Sequence, residues 1–243
     1  RVILPQSMVT TISNLTMTKL RSYLVLSDIH LGARTTTAEE IIAHLVVFFD
    51  NFSDTGVFTS LDAIFIAGDL LDDTVPLASD AVGNFILFFD RFLKCCSRHD
   101  ISVRILEGTR RHDRGQSATF SRIAQVLSAE LDFKYVPTLS IEYMKKLDMH
   151  VLYVPDECRT TAQICQNDVE ALLNEHRLSK VDIAIMHGMF KYQLGSIPDG
   201  PTTHNEAWYL DHVKYYISIG HIHTYSQYSR IVAQGSFDRL SHG

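Results

Sequence analysis

Asp28 and His30 stand two residues apart at the end of an apolar run, Tyr23-Leu24-Val25-Leu26. Asp69 follows Gly68 after a second run, Ala63-Ile64-Phe65-Ile66-Ala67, and His112-Asp113 lie just beyond a third, Ile101 to Leu106. His187 ends Ile183-Ala184-Ile185-Met186, and His221 and His223 alternate after Tyr216-Ile217-Ser218-Ile219-Gly220. Carboxylate and imidazole together suit Mn²⁺, Fe, Zn²⁺ or Co²⁺. A thiolate site is excluded, because Cys95, Cys96, Cys158 and Cys165 fall outside these motifs and form no CxxC pair. Two ions held roughly 3.5–4 Å apart clamp a phosphoryl group between them. The donor inventory is the size such a pair requires: a bridging carboxylate and further ligands on each side.

Only strands feeding one crevice bring residues so distant in the chain together. Apolar runs alternate with helical periodicity. Helices are expected over Ala38 to Phe52, from an N-cap at Ser79 to Cys96, from a cap at Ser117 to Ala129, and over Thr161 to His176. Strands are expected at Tyr23–Leu26, Ala63–Ala67, Ile101–Leu106, His150–Val154, Ile183–Met186, Tyr216–Ile219, Tyr225–Tyr228 and Arg230–Ala233. The alternation predicts an α/β fold, a layered β-sheet core flanked by helices. In open α/β sheets ligands bind beyond the carboxyl ends of the strands, where these aspartates and histidines fall.

The chain has 243 residues, 46% hydrophobic and 21% charged, with a net charge of −6. That composition is ordinary for a globular protein and long enough for a sizeable core. No apolar run reaches the length of a membrane span, so a cytoplasmic protein with reduced thiols is expected. The bulk charge does not advertise a nucleic-acid binder, although bound dications would offset several carboxylates. Residues 1–20 read as a flexible lead-in and 21–243 as one domain. The helix holding Phe85, Phe88, Phe89 and Phe92 reads as core, but its aromatics are not expected to share one face, and part of it is expected to form a homodimer contact. His44, His99, His150, His176, His204, His212 and His242 lack motif context and read as surface or satisfied core residues.

Ser27-Asp28-Ile29-His30-Leu31-Gly32 resembles the DxH opening motif of calcineurin-like metallophosphoesterases. Gly68-Asp69 resembles their GD motif, and Gly108-Thr109-Arg110-Arg111-His112-Asp113 a disturbed GNH[DE]. His187-Gly188 resembles the single-histidine motif and Gly220-His221-Ile222-His223 the GHxH motif, all in family order from residue 27 to 223. The resemblance implies a four-layer α/β/β/α fold and two divalent ions, foremost Mn²⁺, with Fe, Zn²⁺, Co²⁺ or Mg²⁺ as alternatives. It implies that Asp28, His30 and His223 hold the first ion, that Asp69 bridges, and that His187 and His221 hold the second. His112 would serve the leaving oxygen, oriented by Asp113, and a water made acidic by the ions would be the nucleophile. Thr109 replaces the family's usual Asn, and Arg110-Arg111 are inserted before the histidine, where they are expected to touch metal or phosphate oxygens.

Gln234-Gly235-Ser236-Phe237-Asp238-Arg239 resembles the GSxxR segment of SbcD/Mre11-type DNA nucleases, and Leu152 to Glu157 resembles phage-encoded members of that branch. The branch implies DNA as substrate, exo- or endonuclease action in DNA repair, an SbcC/Rad50-like ATPase partner, and, for a phage protein, the host cytoplasm. The capping domain that follows in those nucleases is expected to be absent. The alternatives are a phosphoesterase acting on a small nucleotide or lipid phosphoester, and a catalytically weakened binding scaffold.

Overall fold

The computed structural model describes residues 9–12, 21–33, 36–74, 80–127, 131–156, 161–195 and 203–238. Two sheets stack between layers of helices. The first sheet holds five strands in the order β1-β2-β3-β4-β5: Val9–Ile12, Arg21–Leu26, Ala63–Ile66, Ser102–Leu106 and Phe133–Val136. The second holds six in the order β10-β11-β9-β8-β7-β6: Ser226–Tyr228, Ile231–Ala233, Ile217–Gly220, Ile183–His187, Met149–Val154 and Ser140–Met144.

β2 to β5 are parallel and neighbours in sequence order. Successive right-handed crossovers therefore return on one face. α1 (Ala38–Asp54), α2 (Asp80–Arg98) and α3 (Ala118–Leu127) cover that face, which leaves the other for the second sheet. There, α4 (Ala162–Glu175) and α5 (Glu206–His212) cover the outer side. This is the four-layer α/β/β/α arrangement the motif resemblance implies.

Strand alternation explains the layers. Leu24 and Leu26 of β2 pack under the helices, while Tyr23 and Val25 face Val151, Tyr153, Ile183 and Ile185 of the second sheet. Strands covered on both faces read as unbroken apolar runs, and so β2, β3, β4, β7, β8 and β9 are visible as sequence. α1 starts with a reciprocal cap: Thr37 accepts the Glu40 amide, and the Glu40 carboxylate accepts the Thr37 amide.

Several expectations change. Val9–Ile12, read as part of the lead-in, pairs antiparallel with β2. Ser117 precedes α3 as expected, but its hydroxyl is buried and, among the described residues, has no hydrogen-bond partner, so it does not cap the helix. Ser79 lies outside the described residues. Phe85, Phe88, Phe89 and Phe92 are all buried and pack against Phe49, Phe120 and Phe133. Their i, i+3, i+4, i+7 spacing is a single helical stripe, so the aromatics do share one face, and the exposed apolar residues are instead Ile86 and Leu87. β5, β6 and α5 were not foreseen. Cys96 and Cys165 are buried and Cys95 half-buried; Cys158 lies outside the described residues. Among those residues no helix is long and apolar enough to cross a membrane.

A buried ion network ties the sheets together. Arg104 of β4, 3% exposed, donates to Glu142 of β6 at 2.7 and 3.1 Å and to Asp132 at 2.8 Å. Burial pushes the Glu142 pKa up, but the Arg104 hydrogen bond and charge outweigh it and hold it below its ordinary 4.5. A depressed carboxylate stabilises the fold above its unfolded pKa and loses that contribution as pH falls through its folded value. Glu142→Gln should therefore cost about 1.5–3 kcal/mol at neutral pH. Chemical denaturation should show the gap to the native protein closing as pH drops below 4.5.

Candidate metal centre

The carboxyl ends of β2, β3 and β4 meet those of β8 and β9 at one edge of the sheet stack. The loops after β2 and β3 run together: Asp28 N donates to Gly68 O at 3.2 Å, His30 N to Asp69 O at 3.0 Å, and Leu31 N to Leu70 O at 3.0 Å. Ile29 and Leu31 enter the helix-side core, which turns Asp28 and His30 towards the crevice. Asp28, His30 and Asp69 adopt left-handed backbone, with φ of 52°, 50° and 50°. Non-glycine residues held there cost energy and cluster at functional sites. A Cβ on Gly108 would collide with the Asp69 amide and carboxylate, so only glycine lets the β4 loop pass this close.

Three groups of donor atoms result, each within 4.8 Å: Asp28 with His30 and His223, Asp69 with His187 and His221, and Asp69 with His30 and His112. His30 Nε2 lies 3.1 Å from His223 Nε2, and His223 Nε2 lies 3.6 Å from Asp28 Oδ1. Asp69 Oδ2 is 3.6 Å from His30 Nε2 and 3.3 Å from His187 Nε2, so it stands between the two histidine groups. Ligands around an ion at roughly 2.0–2.2 Å sit about 3–3.5 Å apart. The donors are thus spaced and typed for divalent cations, with Asp69 in the shared position.

Hydrogen bonds aim the rings. His187 Nδ1 donates to Ala67 O at 2.7 Å, leaving Nε2 turned to Asp69. His221 N donates to both Asp28 carboxylate oxygens, at 3.0 and 2.9 Å, and Ser27 Oγ also bonds that carboxylate. The carboxylates and the rings shift one another's protonation. Burial lowers the His187 pKa, but Asp69 and Asp28 raise it to about 10. Burial likewise raises Asp69, and the His187 and His30 charges and the Thr109 amide bring it below its ordinary range. Buried charges persist only when paired or bound to metal.

The expectation for Asp113 is corrected. It is fully buried, and its carboxylate accepts the amides of Gly108 at 2.7 Å, Asp69 at 3.1 Å and Leu71 at 2.9 Å. The turn over residues 110–117 points this side chain inward while leaving His112 about a third exposed. Asp113 thus ties the β3 and β4 loops together and does not orient His112. Burial and repulsion from Asp69 push its pKa up to about 7, despite the Leu71 and Gly108 amides. The partner of His112 is Asp72, with Oδ1 2.6 Å from its Nδ1 and 3.1 Å from His30 Nδ1. Asp72 lies three residues beyond Asp69, but its two histidine partners are 42 and 40 positions away, and nothing in the local sequence links them.

Thr109 occupies the second group. Its hydroxyl lies 3.2 Å from Asp69 Oδ2 and 3.3 Å from both His187 Nε2 and His221 Nδ1, and its amide donates to Asp69 Oδ1 at 2.6 Å. Arg110 and Arg111 point to solvent, outside the donor groups. Thr109→Val keeps the shape and removes the hydroxyl. Calorimetric titration should show the weaker of two cation affinities fall roughly tenfold, and unaltered affinities would remove Thr109 from the site. A partly open cavity of about 210 Å³ adjoins this side, lined in part by His187, His221, Asp156 and His204. His204, expected at the surface or as a satisfied core residue, is buried and lines this cavity.

The GSxxR-like segment folds back over the crevice. Phe237 N donates to Ser27 O and Asp28 O at 3.2 Å, and Asp238 pairs with His44 at 2.5 Å. Arg239, Glu157 and His242 lie outside the described residues.

No protein-family model and no curated protein matches the chain. Solved structures do resemble it. TT1561 of Thermus thermophilus superposes with a TM-score of 0.48 at 13% identity, over 89% of each chain. Another solved chain reaches a TM-score of 0.50 at 11% identity, covering 88% of this chain and 90% of its own length. The likeness is one of fold. At these identities the chemistry rests on the residues of this chain, whose buried aspartates and histidines form a candidate binuclear metal site.

Proposed function

We propose that the protein is a two-metal phosphodiesterase that hydrolyses DNA. One observation carries the reading: Asp69 stands between His30 on one side and His187 and His221 on the other, and the partly exposed His112 pairs with Asp72 at the rim. Asp28, His30 and His223 would hold one ion, His187, His221 and the Thr109 hydroxyl the other, and Asp69 both. Divalent ions bound there, foremost Mn²⁺, would supply Lewis-acid polarisation of a phosphoryl group and would lower the pKa of water.

The protein's own groups do the rest. Asp72 fixes His112 through Nδ1 and leaves Nε2 as the nitrogen that carries a proton to the leaving oxygen. Asp72 also holds His30 through Nδ1, so ligand and proton donor share one support. Asp113 sets the spacing of the two loops that carry Asp69 and Thr109. The ordered motifs and the GSxxR-like segment support the SbcD/Mre11-type substrate over a small phosphoester.

The test is cleavage of end-labelled linear DNA by Mn²⁺-loaded protein. Cleavage that stops with a chelator and returns with Mn²⁺ is expected. Turnover of bis(p-nitrophenyl) phosphate with intact DNA would leave a phosphodiesterase of small substrates and sink the nuclease reading. Bound metal with neither activity would sink both.

A further inference from the structure

We propose that a groove lined by Arg110, Arg111 and Arg114 holds the phosphodiester backbone of a polynucleotide away from the bond that is cut. The proposal rests on the phosphodiesterase reading for the position of that bond. The groove is open and encloses about 800 Å³ between the β4–α3 turn, Tyr135 and Asp156. Asp156 also lines the cavity that holds His187 and His221, so the two spaces adjoin at that residue. Arg110 follows Thr109, whose hydroxyl stands among the metal donors. The groove therefore lies beside the second donor group, with the arginines along it.

The charges in the groove are already sorted. Glu107 accepts the Gly115 amide and the Tyr135 hydroxyl, both at 2.6 Å. Arg114 pairs with Asp73 at 2.9 Å. Arg21, Arg91 and Arg104 elsewhere also hold carboxylates. Asp156 accepts the Arg110 amide; Arg110 and Arg111 are exposed, and among the described residues no ion pair holds either guanidinium. Two adjacent unpartnered guanidiniums at the mouth of a phosphoryl-transfer site are suited to phosphate oxygens, which their fork geometry matches. One scissile phosphate fills neither the volume nor both forks. A polynucleotide strand carries a further phosphate about every 3.4 Å of its axis. With a net charge of −6 the protein has no diffuse attraction for a polyanion, so binding must come from a local feature of this kind.

The experiment is fluorescence anisotropy with Mn²⁺-loaded protein and a labelled single-stranded phosphorothioate oligonucleotide, which resists cleavage, across a salt series. The native protein is compared with Arg110→Ala/Arg111→Ala and with Arg110→Lys/Arg111→Lys. The alanine variant should bind roughly tenfold more weakly, and its salt slope should drop by about 1.4, the contribution of two lost single-strand contacts. The lysine variant should keep the slope. No binding by the native protein, or equal affinities and slopes in the alanine variant, would overturn the proposal. So would an equal loss of binding for a mononucleotide and the oligonucleotide, which would make the groove a single-phosphate site. Lost oligonucleotide binding in the alanine variant, combined with no hydrolysis of any phosphodiester by the native protein, would uphold the groove and defeat the phosphodiesterase reading alone.

Discussion

Asp69→Asn should abolish turnover, lowering it by more than roughly a thousandfold, while leaving the fold intact. The substitution keeps size and one carbonyl oxygen, so a hydrogen bond from the Thr109 amide survives. It removes the carboxylate that lies between His30 and His187, and the shared position can no longer serve two ions. Elemental analysis should find fewer than two divalent ions per chain. Stability separates this from simple misfolding. A ligand present at a hundred times its Kd stabilises by about 2.7 kcal/mol. For a chain of this size that is a rise in Tm of roughly 5–10 °C. The native protein should show this rise with Mn²⁺ and the variant should largely lose it. Without metal the variant should still unfold cooperatively but melt somewhat lower than the native chain, because the Asp69 carboxylate, held below its ordinary pKa by His187 and His30, stabilises the fold at neutral pH. A variant that binds two ions and gains the full thermal shift would overturn the shared role of Asp69.

The parts of this site that were legible in the sequence are those where local pattern and spatial position coincide. An apolar run covered on both faces is readable as a strand, and a polar residue ending it is readable as lying at the crevice. Asp28, His30, Asp69, His187, His221 and His223 all meet that condition. β5 and β6 do not. They are edge strands with partial burial, and Lys134 and Glu142 break their apolar pattern. α5 has seven residues, too short for a periodic stripe. Asp113 was misread for a different reason. It follows His112 in the chain, and adjacency suggested that it orients the ring. In a tight turn successive side chains diverge, and Asp113 points into the protein while His112 points out. Asp72 was missed because its contacts to His30 and His112 exist only once two loops from different strands lie side by side. Pairings of that kind belong to the tertiary fold and leave no local trace.

The Asp72–His112 pair makes the second large prediction, and leaving-group chemistry decides it. His112→Asn removes the ring nitrogen that carries a proton to the departing oxygen. A nucleotide alkoxide is a poor leaving group and needs that proton, so cleavage of DNA should fall by roughly 10²–10⁴. p-Nitrophenolate leaves without help, so hydrolysis of bis(p-nitrophenyl) phosphate should fall far less. Metal content should stay at the native value, because the Asp28–His30–His223 and Asp69–His187–His221 groups are complete without His112. Asp72→Asn tests the support from behind. It leaves His112 in the chain but weakens the bond at Nδ1 that selects its orientation, and the loss should be smaller than in His112→Asn, with the same dependence on the leaving group. Because Asp72 also contacts His30, metal affinity in Asp72→Asn should fall modestly, whereas in His112→Asn it should not. Equal losses on both substrates in His112→Asn would show that His112 places the substrate and transfers no proton. A drop in metal content in that variant would move His112 into the coordination sphere, as its proximity to His30 and Asp69 permits.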